Sequence, residues 1–204
     1  QGGGDQGGFL YDGTRGRLMQ THALEGGFTD APIDAACAFR GLMTAMARPG
    51  TICDVSGATP PAPLGAAAGT AILTLCDPDT PIYLGTACDT QDVRDWITFQ
   101  TGAPFVPPAQ AMFAVGAWDD LPLSEFAIGT AEYPDRSATV VVEMPDLTSL
   151  GATLSGPGIK DTANLSLPDT AAFQRNAALF PLGLDFIFTC ANRLAALPRT
   201  TRVR

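Results

Sequence analysis

The 204-residue chain has one histidine, His22, and one lysine, Lys160. With its single imidazole near the start, the chain has little from which to build a Ser-His-Asp or Cys-His relay. The strand-to-helix serine elbow G-x-S-x-G is missing too, since Ser155 in "TLSGPGI" lacks the preceding glycine. No GxxxxGK[ST] loop is present to cradle nucleotide phosphates. The five cysteines (Cys37, Cys53, Cys76, Cys88 and Cys190) form no CxxC pair, and no closely spaced ligand set points to zinc. They read as reduced thiols filling apolar sites, with no metal expected. No apolar run reaches the roughly 20 residues of a membrane helix, and no basic stretch feeding an apolar core marks a secretory signal. Twelve basic against twenty-one acidic residues give a net charge of −9, which leaves no basic stripe to follow nucleic acid.

What remains is a soluble globular composition, 46% hydrophobic and 16% charged, at a length suited to one substantial core. Residues 1–18 are glycine-rich and aperiodic and read as a leader; residues 19–204 read as a single α/β domain. "IDAACAFRGLMTAMAR" has helical spacing, with Phe39, Leu42, Met43 and Met46 expected on the buried face, Thr29 or Asp30 as cap and Pro49-Gly50 as stop. "APLGAAAGTAILTL", "DTQDVRDWITFQT" (burying Val93, Trp96 and Ile97) and "DTAAFQRNAALF" read as further helices. "TICDVS", "PIYLG", "AMFAVG" and "ATVVVEM" read as short buried strands. Helices alternating with apolar strands predict a three-layer α/β fold, a mixed sheet with helices on both faces.

The chain's end, "FPLGLDFIFTCANRLAALPRTTRV", reads as a hairpin closing the sheet, with "PRTTR" exposed at its margin. Asp185, where the last helix turns through "PLG" into a strand, is expected to be structural, accepting backbone N–H bonds. "LSGPGI" offers backbone amides around Gly156 and Gly158 that suit an anion, although Gly-Pro-Gly after a strand is also simply a good turn. "DPDTP" clusters Asp77 and Asp79, a pattern more typical of a solvated turn than of a metal site. Arg40 and Arg48, eight positions apart on one helix, lie within about 80° of each other. They read as that helix's polar side or as an anion-facing edge.

Five segments occur together and in order: "FRGLMTAMARPG", "LCDPDTPIYL", "TGAPFV", "LSGPGI" and the terminal hairpin. In this the chain resembles, from about Phe28 to Val203, the PhnH family, the H subunit of the bacterial carbon–phosphorus lyase system. The resemblance implies a cytoplasmic core complex with G, I and J subunits that breaks down organophosphonates. It implies a first reaction in which a phosphonate such as methylphosphonate displaces adenine from ATP, giving a ribose 1-phosphonate 5-triphosphate. It further implies a fold like the large domain of pyridoxal-phosphate transferases, without a usable cofactor site. Lys160 fits that expectation, because it lies in no matched motif and follows a turn read as solvent-facing.

Two functions stay open at this point: a subunit supporting the synthase reaction, and an assembly module descended from a transferase. Transferase activity is expected only within the complex, and a homodimer is expected in isolation. If the chain touches substrate, the ligand is ATP or phosphonate. The expected anion contacts are Arg48, Ser155, Gly156, Gly158, Arg199, Thr200 and Thr201, converging on one surface. No catalytic group is assigned.

Overall fold

The computed structural model describes residues 25–204; the leader 1–18 and His22 lie outside them. The first helix among the described residues, α1 (Ala31–Ala47), starts at Asp30 with Pro32 in its first turn, where a missing N–H costs nothing. The Asp30 side chain makes no cap bond. Instead the Asp34 carboxylate reaches back to accept the Asp30 N–H at 2.9 Å. The helix stops at Arg48, and Gly50 turns the chain with φ +91°.

The main sheet has six strands: β1 (Cys53–Asp54), β2 (Ile82–Leu84), β3 (Phe113–Ala117), β4 (Thr139–Glu143), β7 (Asp185–Cys190) and β8 (Arg193–Leu197). Their order is β1-β8-β7-β4-β3-β2. The run β2, β3, β4 and β7 is parallel, while β8 pairs antiparallel with β7 and β1 antiparallel with β8. Strands buried on both faces need apolar residues throughout, which "TVVVE" and "DFIFTC" supply. Alternation then sends Val141, Ile187, Leu194 and Ala196 to one core, and Val140, Val142, Phe186, Phe188 and Ala195 to the other.

Three helices fill the first core. Besides α1 these are α2 (Ala66–Leu75), buried from Ala67 to Ile72, and α3 (Gln91–Thr101), which buries Val93, Trp96 and Ile97. Small residues let α2 sit deep: a Cβ on Gly69 would stand 2.6 Å from Pro60 Cγ. Thr90 caps α3 by accepting the Val93 N–H, and Gly102 ends it in the left-handed conformation.

The second core is covered differently. The short helix α4 (Thr170–Ala177) contributes Phe173, whose ring meets Trp118, Phe186 and Phe188 at centroid distances of 5.0, 4.9 and 5.5 Å. Beside it lies a three-stranded antiparallel sheet, β6-β5-β9, formed by β5 (Ala152–Ser155), β6 (Ala163–Leu165) and β9 (Arg202–Val203). Leu154, Leu165 and Val203 pack from it into the same cluster.

Several sequence expectations are corrected here. On α1 the buried stripe is Ala38, Leu42 and Ala45; Phe39 and Met43 stay about half exposed, at 47% and 51%. Alanines at close helix contacts carry the packing there, so the largest side chains do not mark the inner face. The terminal hairpin lies inside the sheet, with β8 between β7 and β1. "PRTTR" is likewise not a loose margin: Thr201 is buried and Arg202 begins β9. The mixed α/β sheet stands, but its second face is covered by one helix and a small sheet, not by a full helical layer. Cys37 is exposed, unlike the other four thiols.

Candidate functional site

Antiparallel pairing of β5 with β9 sets Leu154 against Val203 and Ser155 against Arg202. The loop that follows Ser155 therefore lies against the segment that precedes Arg202. Gly156 has φ +132°, and a Cβ on it would stand 3.2 Å from the Thr200 carbonyl oxygen. Gly158 has φ +79°, and a Cβ there would collide with the Ala47 carbonyl of α1. Both positions need glycine for conformation and for close approach. The turn is closed by the Ile159 N–H donating to the Gly156 carbonyl at 3.1 Å.

Beside this loop is a cleft of about 390 Å³ lined by Gly156, Pro157, Ala177, Phe180, Arg199, Thr200 and Arg202. Arg199 is already committed. Asp185 Oδ1 accepts both the Arg199 backbone N–H at 2.8 Å and Nε at 3.2 Å. Arg199 Nη2 donates to Asp185 Oδ2 and to Ser137 Oγ, and Nη1 donates to the Pro134 carbonyl at 2.7 Å. The two side chains are 12% and 19% exposed. A guanidinium so occupied forms the cleft's wall and has little left to offer a ligand. Among the described residues no carboxylate pairs with Arg202, so it is the cleft's available cation; it lies in the arginine-rich "PRTTR" end but is not among the individually expected anion contacts. Its strand residue type carried no signal; pairing with Ser155 places it there.

The remaining expected contacts divide. Thr200 lines the cleft, whereas Thr201 is 2% exposed, with its N–H on the Pro198 carbonyl and no partner for its hydroxyl among the described residues. Arg48 lines a separate shallow groove on α1 with Arg40, Met43, Thr44 and Ala47. The Gly-Pro-Gly loop lines the cleft and packs against the Ala47 carbonyl, but Arg48 and Arg199 do not share a depression. Asp77 forms a local turn, accepting from Asp79 N–H and Thr80 Oγ1. Among the described residues no three His, Cys, Asp or Glu side chains come together.

A second polar site, absent from the sequence reading, lies where β4 ends. Glu143 Oε1 accepts the Gly65 N–H at the start of α2 at 2.6 Å, and Oε2 lies 3.1 Å from Thr189 Oγ1. Burial raises the Glu143 pKa, while its bonds to Gly65 and Thr189 oppose the shift. The Thr189 hydroxyl is also 3.2 Å from the Val142 carbonyl, and its one hydrogen cannot serve both acceptors. Nearby Cys88 is pushed up to about 11 by burial first, then by Glu143 and Asp120, and Cys76 to about 12 by burial and then Asp77. Neither thiol is poised as a nucleophile at neutral pH.

The architecture is an open mixed α/β sheet, with an anion-compatible cleft where its small second sheet meets the chain's end. The chain belongs to the PhnH family, described as bacterial phosphonate metabolism proteins, whose family model matches residues 26–204. It is 42% identical over 196 residues to the PhnH subunit of alpha-D-ribose 1-methylphosphonate 5-triphosphate synthase of Rhizobium meliloti (strain 1021), covering 90% of this chain and 97% of that protein. It is 28% identical over 200 residues to HtxG of Stutzerimonas stutzeri, described as a C-P lyase subunit protein, covering 88% and 95%.

Two outcomes follow from this geometry. Asp185→Ala strands a largely buried guanidinium and a backbone N–H, so it should lower unfolding free energy by about 2–4 kcal/mol in urea melts; an unchanged midpoint would show the clamp to be idle. For Glu143 the raised pKa means that the folded state holds the proton more tightly than the unfolded chain. Its stabilising contribution is present below the ordinary value of 4.5 and is lost as pH rises through the folded pKa. Glu143→Gln, which mimics the protonated acid, should therefore gain on the wild type as pH rises above the ordinary value of 4.5, read as a difference in Tm. A gap that narrows with rising pH would contradict the assignment.

Proposed function

We propose that this chain is the H-type subunit of a ribose 1-methylphosphonate 5-triphosphate synthase within a cytoplasmic carbon–phosphorus lyase complex. In that setting it supports the displacement of adenine from ATP by methylphosphonate, alongside G, I and J subunits. The observation that carries this reading is similarity running through 97% of the Rhizobium meliloti synthase subunit, too extensive to reflect a shared fragment. The sheet, in this reading, descends from a transferase large domain, consistent with its parallel centre and antiparallel margin.

The cleft beside the Gly-Pro-Gly loop is the part of the chain assigned to the anionic ligand. Arg202 supplies the charge, while Gly156, Pro157 and Thr200 supply the close backbone edge. Ser155, Gly158 and Thr201 shape that edge, and the Asp185–Arg199 clamp holds it. A specific observation favours a second reading, the assembly module: the guanidinium best placed by sequence to bind substrate, that of Arg199, is spent on internal bonds.

Reconstitution separates the two readings. With ATP and methylphosphonate, the chain alone should release no adenine, and the complex with G, I and J subunits should release it. Loss of one charge-assisted contact is worth about 1.5–3 kcal/mol, or roughly tenfold and more in an equilibrium constant. In the complex, Arg202→Ala should therefore raise the concentration of ATP or phosphonate needed for half-maximal rate by at least about tenfold. Full activity of that variant at wild-type substrate levels would favour the assembly module, and adenine release by the chain alone would overturn the multi-subunit requirement.

A further inference from the structure

The helix α1 is apolar on two sides, and only one of them is used. Its inner stripe packs on the sheet and on α2. On its outer side Ile33, Ala36, Arg40, Met43 and Ala47 recur at alternating steps of three and four, the spacing of a seam made to receive another helix. Phe39 flanks that seam. Ile33, Phe39 and Met43 are 61%, 47% and 51% exposed, whereas large side chains on a solvated face are normally scattered singly.

The charge on this face is of one sign. From Ala35 to Arg48 the only ionisable groups besides the Cys37 thiol are Arg40 and Arg48, in a chain whose net charge is −9. Among the described residues neither guanidinium has a carboxylate partner. Both line the shallow groove that runs along the helix beside Met43 and Thr44. A second copy of this chain docked through the same seam about a two-fold axis would set Arg40 against Arg40, a repulsive pairing. A helix carrying acidic residues beside an apolar stripe meets the face with both its charges and its side chains matched.

We propose that the outer face of α1 docks an acidic amphipathic helix of another subunit of the complex, an inference that rests on the subunit reading above. The test measures binding of an assembled G, I and J complex to the full chain and to two variants, Arg40→Glu/Arg48→Glu and Phe39→Asp/Met43→Asp. All four positions are exposed, so the isolated variants should keep the wild-type Tm. Charge reversal should raise Kd at least about tenfold and reverse its dependence on salt, because salt now screens repulsion where it had screened attraction. The apolar variant should bind more weakly still, at every salt concentration. Wild-type Kd values for both variants would overturn the inference while leaving the subunit reading intact. So would a Cys37–Cys37 disulfide linking two copies within the assembled complex. Failure of the wild-type chain to bind the assembly would overturn both.

Discussion

The Asp185 carboxylate gripping Arg199 is the interaction on which the second half of the molecule depends. Asp185 opens β7, in the parallel centre of the sheet, and Arg199 is the second residue after β8, its antiparallel neighbour. The pair closes the open end of that hairpin, and the guanidinium also reaches Ser137 and the Pro134 carbonyl on the approach to β4. One largely buried cation thus holds three chain segments at the same end of the sheet. A pair like this contributes through what its loss would strand rather than through Coulomb attraction alone.

From that fixed point the chain has only Thr200 and Thr201 before Arg202 enters β9 and pairs with β5. The small sheet could not cover the phenylalanine cluster if this exit were loose. Phe173, Phe186 and Phe188 depend on Leu154, Leu165 and Val203 to exclude water, and the same pairing carries the Gly-Pro-Gly loop to the rim of the cleft. Stability of the second core and shape of the candidate site therefore share one cause.

Much of this was legible in the sequence, and the limits have physical reasons. The six strands of the main sheet and the four α-helices among the described residues announce themselves by apolar runs and caps; Val93, Trp96 and Ile97 fall on the buried side of α3 as their spacing requires. The segments proposed for anion contact were legible as glycine and arginine chemistry. Their division between a cleft and a groove was not, because it depends on the long-range pairing of Ser155 with Arg202. β9 has two residues and β6 three, too few to carry a period. Glu143 was hidden because a lone acid ending a valine run looks like any strand terminus; only the Gly65 amide facing it reveals its role. The outer face of α1 misled in an instructive way. A residue set that looks like a core stripe is apolar for a contact that the isolated chain does not make.

The central claim, that the Asp185–Arg199 clamp organises the small sheet and the cleft, is tested most directly by hydrogen–deuterium exchange on Asp185→Ala under native conditions. The account predicts protection lost at residues 152–165 and 202–204, with β3 and β4 still protected. Unchanged protection in those segments, or a uniform loss across the whole sheet, would contradict it.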